Sequence, residues 1–432
     1  MLRRLLTSLA AAPYVLAAAP ACAETLQDAL VDAYLNNPNL EDARLAVRSA
    51  REDGAQARST YLPTLNMVTT YGYRDVETET PTFFGPQIRQ TELEPLTATV
   101  QLQQQLYSGG RREGQTSLAR ASLEGARHGL RGVEQDVLLA AVDAYISILR
   151  DQEIMRLREQ HVAALTRQLD GVRRRLAVGE VSRTDVAQTQ TRLAGAEASL
   201  ARALAELDVS RARYELVVGR SPGALAPVET PETPSTLDEA IRMAEGRHPD
   251  VLRAQANRRA ARARVEIERA ALRPQVSVVG RYEHTQESSV EGDRADGSTA
   301  LAQLSVPLFE GGLAASRTRQ QRLAVERADT IIEIRRRETV ANVVSAWTDV
   351  EAGRAIADAA RDQVAAATVA VEGAERERGL GLRSTIDVLN AEEERRNALI
   401  ALTRADAESD FAAFSLLAAV GALTAETLGI KE

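Results

Sequence analysis

The chain is written twice, and this constrains its fold more than any other feature. Thr25-Leu26 and Ala29 recur as Thr236-Leu237 and Ala240, Asn37-Pro38 as His248-Pro249, Pro63 as Pro274 and Tyr71 as Tyr282, each pair 211 residues apart. Further along, Leu106-Tyr107-Ser108-Gly109-Gly110 recurs as Leu308-Phe309-Glu310-Gly311-Gly312, Ala144-Tyr145 as Ala346-Trp347, Asp185-Val186 as Asp387-Val388 and Val218-Gly219 as Val420-Gly421, all at an offset of 202. The offset changes once, between Tyr71 and Leu106, so the first copy carries nine extra residues there (211 − 202 = 9). A length change that leaves register intact on both sides marks an exposed loop. The chain therefore divides into a first copy over 24–219, a join over 220–235 containing Pro222, Pro227, Pro231 and Pro234, a second copy over 236–421 and a tail over 422–432.

Each copy reads as helix, strand, loop, strand, long helix, helix. The long helices are expected over Arg111 to Val178 and Leu313 to Leu380; at 1.5 Å per residue each is ~100 Å long, far beyond a globular helix. Seven-residue spacing runs through them. Val343, Val350, Ala357, Val364 and Val371 form one apolar row, and Ala346, Gly353, Ala360, Ala367 and Ala374 a second made of small residues. The first copy carries Ala141, Ile148, Met155, Val162 and Leu169, and the last helix carries Ala391, Ala398, Ala405, Ala412 and Ala419. This period imposes a left-handed supercoil, and the small rows let helix axes approach on two flanks, as a cylinder wall requires. On the helices alone, an antiparallel coiled-coil scaffold in the periplasm without a membrane span is the alternative.

The strands separate the two. Leu96, Ala98, Val100 and Leu102 alternate with Thr97, Thr99, Gln101 and Gln103; Ala300, Ala302, Leu304 and Val306 alternate around Gln303 and Ser305. Their partners are Leu65, Met67, Thr69, Tyr71, Tyr73 and Val276, Val278, Gly280, Tyr282. One apolar face and one uncharged polar face over about 10 residues is the transmembrane β-barrel pattern. There are four such strands per chain. Four cannot close a barrel, and an open edge in lipid costs several kcal/mol per unpaired backbone group. Several chains must then share one barrel. The connections Asp75 to Glu94 and Gln286 to Ser298 are polar and acidic, and read as surface loops.

Arg3 and Arg4, the apolar stretch Leu5 to Ala19 and Ala21-Cys22-Ala23 form a secretory signal over 1–23, with Glu24 as the first mature residue. A lipidated Cys22 is the second reading, although Ala19 stands where such signals usually place leucine. The longest later apolar run, Phe411 to Leu423, is shorter than the ~18 residues of a spanning helix. A net charge of −8 argues against nucleic-acid binding. His128, His161, His248 and His284 are scattered without ligand partners at metal-site spacing, so no metal or cofactor is expected. No phosphate loop, nucleophile elbow or catalytic carboxylate pair appears, so no enzyme is expected.

Over nearly the whole mature chain these residues resemble the TolC-like outer-membrane efflux and secretion channels. The most specific matches are the strand-to-helix junctions, with Gly109, Gly110, Gly311 and Gly312, and the turns Gly179-x-x-Ser182-x-Thr184-Asp185-Val186 and Gly381-x-x-Ser384-x-x-Asp387-Val388. The resemblance implies a mixed α and β fold: a transmembrane β-barrel completed by oligomerisation, joined to a long periplasmic α-helical barrel, with a mixed belt around its waist. It implies a homotrimer in the outer membrane, passing cargo passively. Its implied partners are a periplasmic adaptor and an inner-membrane transporter, either a proton-driven pump or an ABC exporter. Carried over by position, Thr184, Asp185 and Arg383 match a periplasmic gate, and Asp387 an entrance acidic ring; capping of helices at the turn is the other reading of all four. An Arg383 to Asp185 bond across the helix pair is expected. The family gate often has an aromatic where Arg378 stands and a second acid where Asn390 stands.

Overall fold

The structure is a computed structural model and describes residues 23–426; the expected leader lies outside the described residues except for Ala23. Along the chain come α1 (Leu26–Asn36), α2 (Pro38–Ser59), β1 (Thr64–Tyr71), β2 (Arg74–Thr82), β3 (Gly85–Leu93), β4 (Leu96–Tyr107), α3 (Arg111–Ala177) and α4 (Arg183–Val218). The second copy supplies α5 (Leu237–Arg247), α6 (Pro249–Ala270), β5 (Gln275–Gln286), β6 (Arg294–Ser305), α7 (Leu313–Gly379) and α8 (Thr385–Ala419). Among the described residues no helix is long and apolar enough to cross a membrane.

The two long helices are the spine. In the half nearer the strands, α3 lies against α2 and α6, and α6 against α7; in the other half, α3 lies against α4 and α8, and α8 against α7. Each level is thus a row of four helices, α2-α3-α6-α7 above and α4-α3-α8-α7 below. The small residues decide how close the rows sit. Ala346, Gly353, Ala357, Ala360, Ala367 and Ala374 are buried on α7, and Ala398, Ala405 and Ala412 on α8. A Cβ on Gly353 would stand 3.2 Å from Ser409 Cα, so a larger residue there would push the axes apart.

The four barrel strands form one antiparallel sheet in the order β1-β4-β5-β6. Met67 faces Val100 in the first copy and Val278 faces Ala302 in the second, so the repeat offsets hold in strand register. The copies meet through β4 and β5, with Val100 opposite Tyr282 and Gln101 opposite Arg281. Alternation puts Leu65, Met67, Val100, Leu102, Val278 and Ala302 on one face, and Gln101, Gln103, Thr99, Thr299 and Gln303 on the other. The apolar side is bare in the protomer: Leu65 is 67%, Met67 69% and Leu304 63% exposed. Such a face needs lipid or a partner.

The segment read as a loop from Asp75 to Glu94 is instead a hairpin, β2 with β3, paired from Arg74↔Leu93 to Thr82↔Gly85. It continues the β1–β4 ribbon beyond a break at Gly72 and Pro95, where Gly72 N–H donates to Pro95 O at 3.2 Å. The nine extra residues of the first copy lie in this excursion. The second-copy connection is short, with Gly292 at φ +78.

At the waist, α1, the join and the end of α4 wrap α3. Tyr145, Leu138, Ile148, Tyr214 and Leu207 are fully buried there with Leu30 and Leu40. Glu24 is stitched into this belt. Its N–H donates to Ala224 O (2.7 Å), and its carbonyl accepts from Ala226 N–H (2.8 Å). Its carboxylate accepts from Tyr214 Oη, from Gly223 N–H at 3.1 Å and from the Arg220 guanidinium at 2.9 Å. Tyr145 Oη lies 2.8 Å from Glu24 O and 2.7 Å from Ala226 O. Burial is the first cause that pushes the Tyr145 phenol up to about 12, and burial likewise raises Tyr214, followed by its bond to Glu24.

Candidate functional site

The far ends of the two helix pairs are built alike. α3 ends at Gly179 with φ +81 and α7 near Gly381 with φ +76, a left-handed conformation that glycine adopts without steric cost. Glu180 N–H reaches Arg175 O and Leu382 N–H reaches Glu377 O, both at 2.9 Å, which closes the last turn of each long helix. Three residues on, serine restarts the helix. Ser182 Oγ accepts from Asp185 N–H at 3.2 Å while Asp185 Oδ2 accepts from Ser182 N–H at 2.8 Å; Ser384 and Asp387 repeat this box at 3.2 and 3.1 Å. The Ser182 backbone bond, then its hydroxyl, holds Asp185 below the usual carboxylate range; the Ser384 hydroxyl, then its N–H, does the same for Asp387. Both aspartates are therefore capping residues in the protomer. Thr184 is exposed in the first turn of α4.

The expected bond between Arg383 and Asp185 is absent within the protomer. Arg383 Nε instead pairs with Glu377 Oε2 at 2.5 Å. The tight turn after α7 folds residue 383 back over the last helical turn, and the Asp185 carboxylate is already engaged by Ser182. What does join the two tips is a bond that the sequence reading missed: Arg192 Nη2 donates to Asn390 Oδ1 at 3.0 Å, from α4 to α8. Asn390 was visible only as a departure from the family pattern, and no local signal marked Arg192 as its donor. Arg378, the other departure, lines a cleft with His161, Gln168, Thr385 and Glu392. Burial, followed by the nearby Arg396 and Arg158, lowers the His161 imidazole to about 4.

At the opposite ends of α3 and α7 the glycine pairs all have positive φ: Gly109 +67, Gly110 +97, Gly311 +61 and Gly312 +83. Gly110 and Gly312 start the long helices. At Gly109 space is also short, since a Cβ would stand 2.7 Å from Ala270 O and 2.9 Å from Arg273 Cβ. The equivalent Gly311 has nothing within 4 Å. The first junction is covered by the end of α6, and the second is open.

A slab four strands and four helices wide, with capped tips at one end and paired glycines at the other, matches one family over both copies. The model of the outer membrane efflux protein family covers residues 29–220 and 240–422. The chain belongs to that family. It is 34% identical over 424 residues to the outer membrane efflux protein BepC of Brucella suis, spanning 96% of this chain and 90% of that protein. It is 25% identical to the outer membrane protein TolC of Vibrio cholerae, over 93% of this chain and 92% of that one. A membrane protein of Pseudomonas aeruginosa has the same fold, with a TM-score of 0.78 at 20% identity, covering 92% of this chain and 93% of that one.

An outer membrane efflux protein of this build is a channel that resides in the outer membrane. The bare apolar face of β1-β4-β5-β6 is then the lipid face, and the amide- and hydroxyl-rich face lines the passage. Members of the family are channels rather than enzymes. The alternative of a membrane-free periplasmic scaffold is set aside.

Proposed function

We propose that three copies of this chain close into one export duct of twelve strands and twelve helices. The observation that carries it is the pair of open flanks. Among the described residues β1 and β6 are unpaired edges, and α2 and α7 bound the helix row above. The chain also contains the template for its own seam. Shifting the β4–β5 pairing by the repeat offsets, 202 and 211, turns Val100↔Tyr282 into Ala302 against Tyr71 of the next copy (100 + 202 and 282 − 211). The same shift sets α7 beside the neighbour's α2 as α3 lies beside α6. Three copies supply twelve strands, above the ~8 a barrel needs.

Cargo is driven from below, by a periplasmic adaptor joined to an inner-membrane transporter, and the duct itself moves it passively. Thr184, Asp185, Arg383 and Asp387 stand at the entrance, where three copies of each tip converge. In the assembly, Arg383 exchanges Glu377 for Asp185 of a neighbouring tip and the closed entrance is held by those bonds. The assembly is tested by replacing Tyr71 and Ala302 together with cysteine. Cys22, in the expected leader, is the only cysteine of the chain, so oxidation should give a covalent trimer ladder on a denaturing gel. Neither single variant should form it. Cross-linking absent from the double variant, with folded protein in detergent, would overturn this seam.

A further inference from the structure

Every position on the passage-facing side of the four barrel strands is fixed by register. From Asn66, Val68 and Thr70 on β1 to Thr299, Leu301 and Gln303 on β6, these positions are uncharged, with two exceptions, Arg281 and Glu283, both on β5. Arg281 sits opposite Gln101 and Thr299, and its Nη2 donates to Gln101 Oε1 at 3.2 Å, which holds the guanidinium on this face. Glu283 is opposite Thr99 and Gly297, one step further from the helices on the same face. The first copy has no such charges: Thr70 and Gly72 occupy the equivalent places (281 − 211 and 283 − 211).

We infer that Arg281 and Glu283 form two stacked rings of opposite charge in the barrel, a compensated filter that lets anionic and cationic cargo leave equally well. This rests on the trimeric duct. Three copies give three guanidinium groups at one level and three carboxylates at the next, roughly 5 Å apart along a tilted strand. Twelve strands at ~4.8 Å spacing make a cylinder of about 12 Å backbone radius. An arginine side chain spans about half of that, so its charge lies within the ~10 Å Debye length of the axis at 0.1 M salt. Charged rings set ion selectivity in pores. Here the periplasmic-side ring attracts anions and the outer ring attracts cations. At this spacing each screens the other, and the net bias is small although both fields are present.

The test is the reversal potential of single full-length channels in planar bilayers under a tenfold KCl gradient. Relative to the unaltered channel, Arg281→Gln should raise the permeability ratio of K⁺ to Cl⁻ by at least about threefold, because it leaves the carboxylate ring alone. Glu283→Gln should lower the ratio by a similar factor. The double variant should return close to the starting value, and Arg281→Lys should leave it unchanged. Both single variants conducting with an unshifted reversal potential would overturn the inference. An unaltered protein that yields no conductance steps would overturn the duct reading, and this inference with it.

Discussion

At the scale of single residues, the helix tips proposed as the entrance are where local and assembled roles compete. Asp185 and Asp387 each satisfy a helix start, and Arg383 has a partner in its own turn. The Arg383 side chain is 49% exposed, and an ion pair so placed contributes at most ~1 kcal/mol. Small terms of that size suit the proposed trimer, in which three symmetric copies act on one closure that must open. Arg383→Ser and Asp185→Ala should each raise single-channel conductance, and the double variant should add little to either, because one pair is lost in all three. Asp387→Ala should leave conductance nearly unchanged and lower sensitivity to multivalent cations. His161 sets a pH dependence of its own. Its imidazole titrates near 4 in the folded chain and at the ordinary 6.5 when unfolded. Between those values the unfolded chain binds the extra proton, so stability is lost as pH falls from 6.5 toward 4. Thermal melts at pH 7 and pH 5 should differ less in His161→Gln than in the unaltered protein. The gap should narrow rather than vanish, because burial also lowers His128 and His248.

At the scale of elements, the sequence predicted what is periodic and missed what is not. The long helices end within a residue or two of expectation, because heptads run to glycine and serine signals at both tips. The four barrel strands were legible from alternation. The hairpin β2–β3 was not, because its strands carry Asp75, Glu77, Glu79 and Glu92 with threonines and no apolar face, and it is held by backbone pairing that composition does not announce. The Arg383 partner and the Arg192 to Asn390 bond were equally hidden, as both depend on how turns fold back rather than on spacing. The glycine junctions were legible as conformational needs, but not in their inequality. Gly109→Ala must place a Cβ against Ala270 O in a left-handed conformation, at ~1–2 kcal/mol for the backbone alone and more for the clash. It should lower the yield of folded protomer. Gly311→Ala bears only the backbone strain within one chain, but its open side is where the shifted pattern puts the neighbour's α2. Light scattering in detergent should then find folded protomer with a reduced trimer fraction.

At the scale of the whole molecule, duplication supplies the fold and, in the proposed trimer, the rule for assembling it, since each contact between copies inside a chain then has an equivalent between chains. The belt is the exception to that economy, because it joins the residues just before α1 to the join between the copies. Glu24 is hydrogen-bonded to residues 223, 224 and 226, and paired with Arg220, about two hundred positions downstream. A chain synthesised from its N-terminus exposes that carboxylate long before its partners arrive. Contacts of such sequence separation form slowly, since the loop between them must close first. Glu24 and the residues beside it therefore wait, unseated, until the whole first copy and the join have been made. The waist is thus a clasp of long sequence separation, one that closes only once half the protein is present.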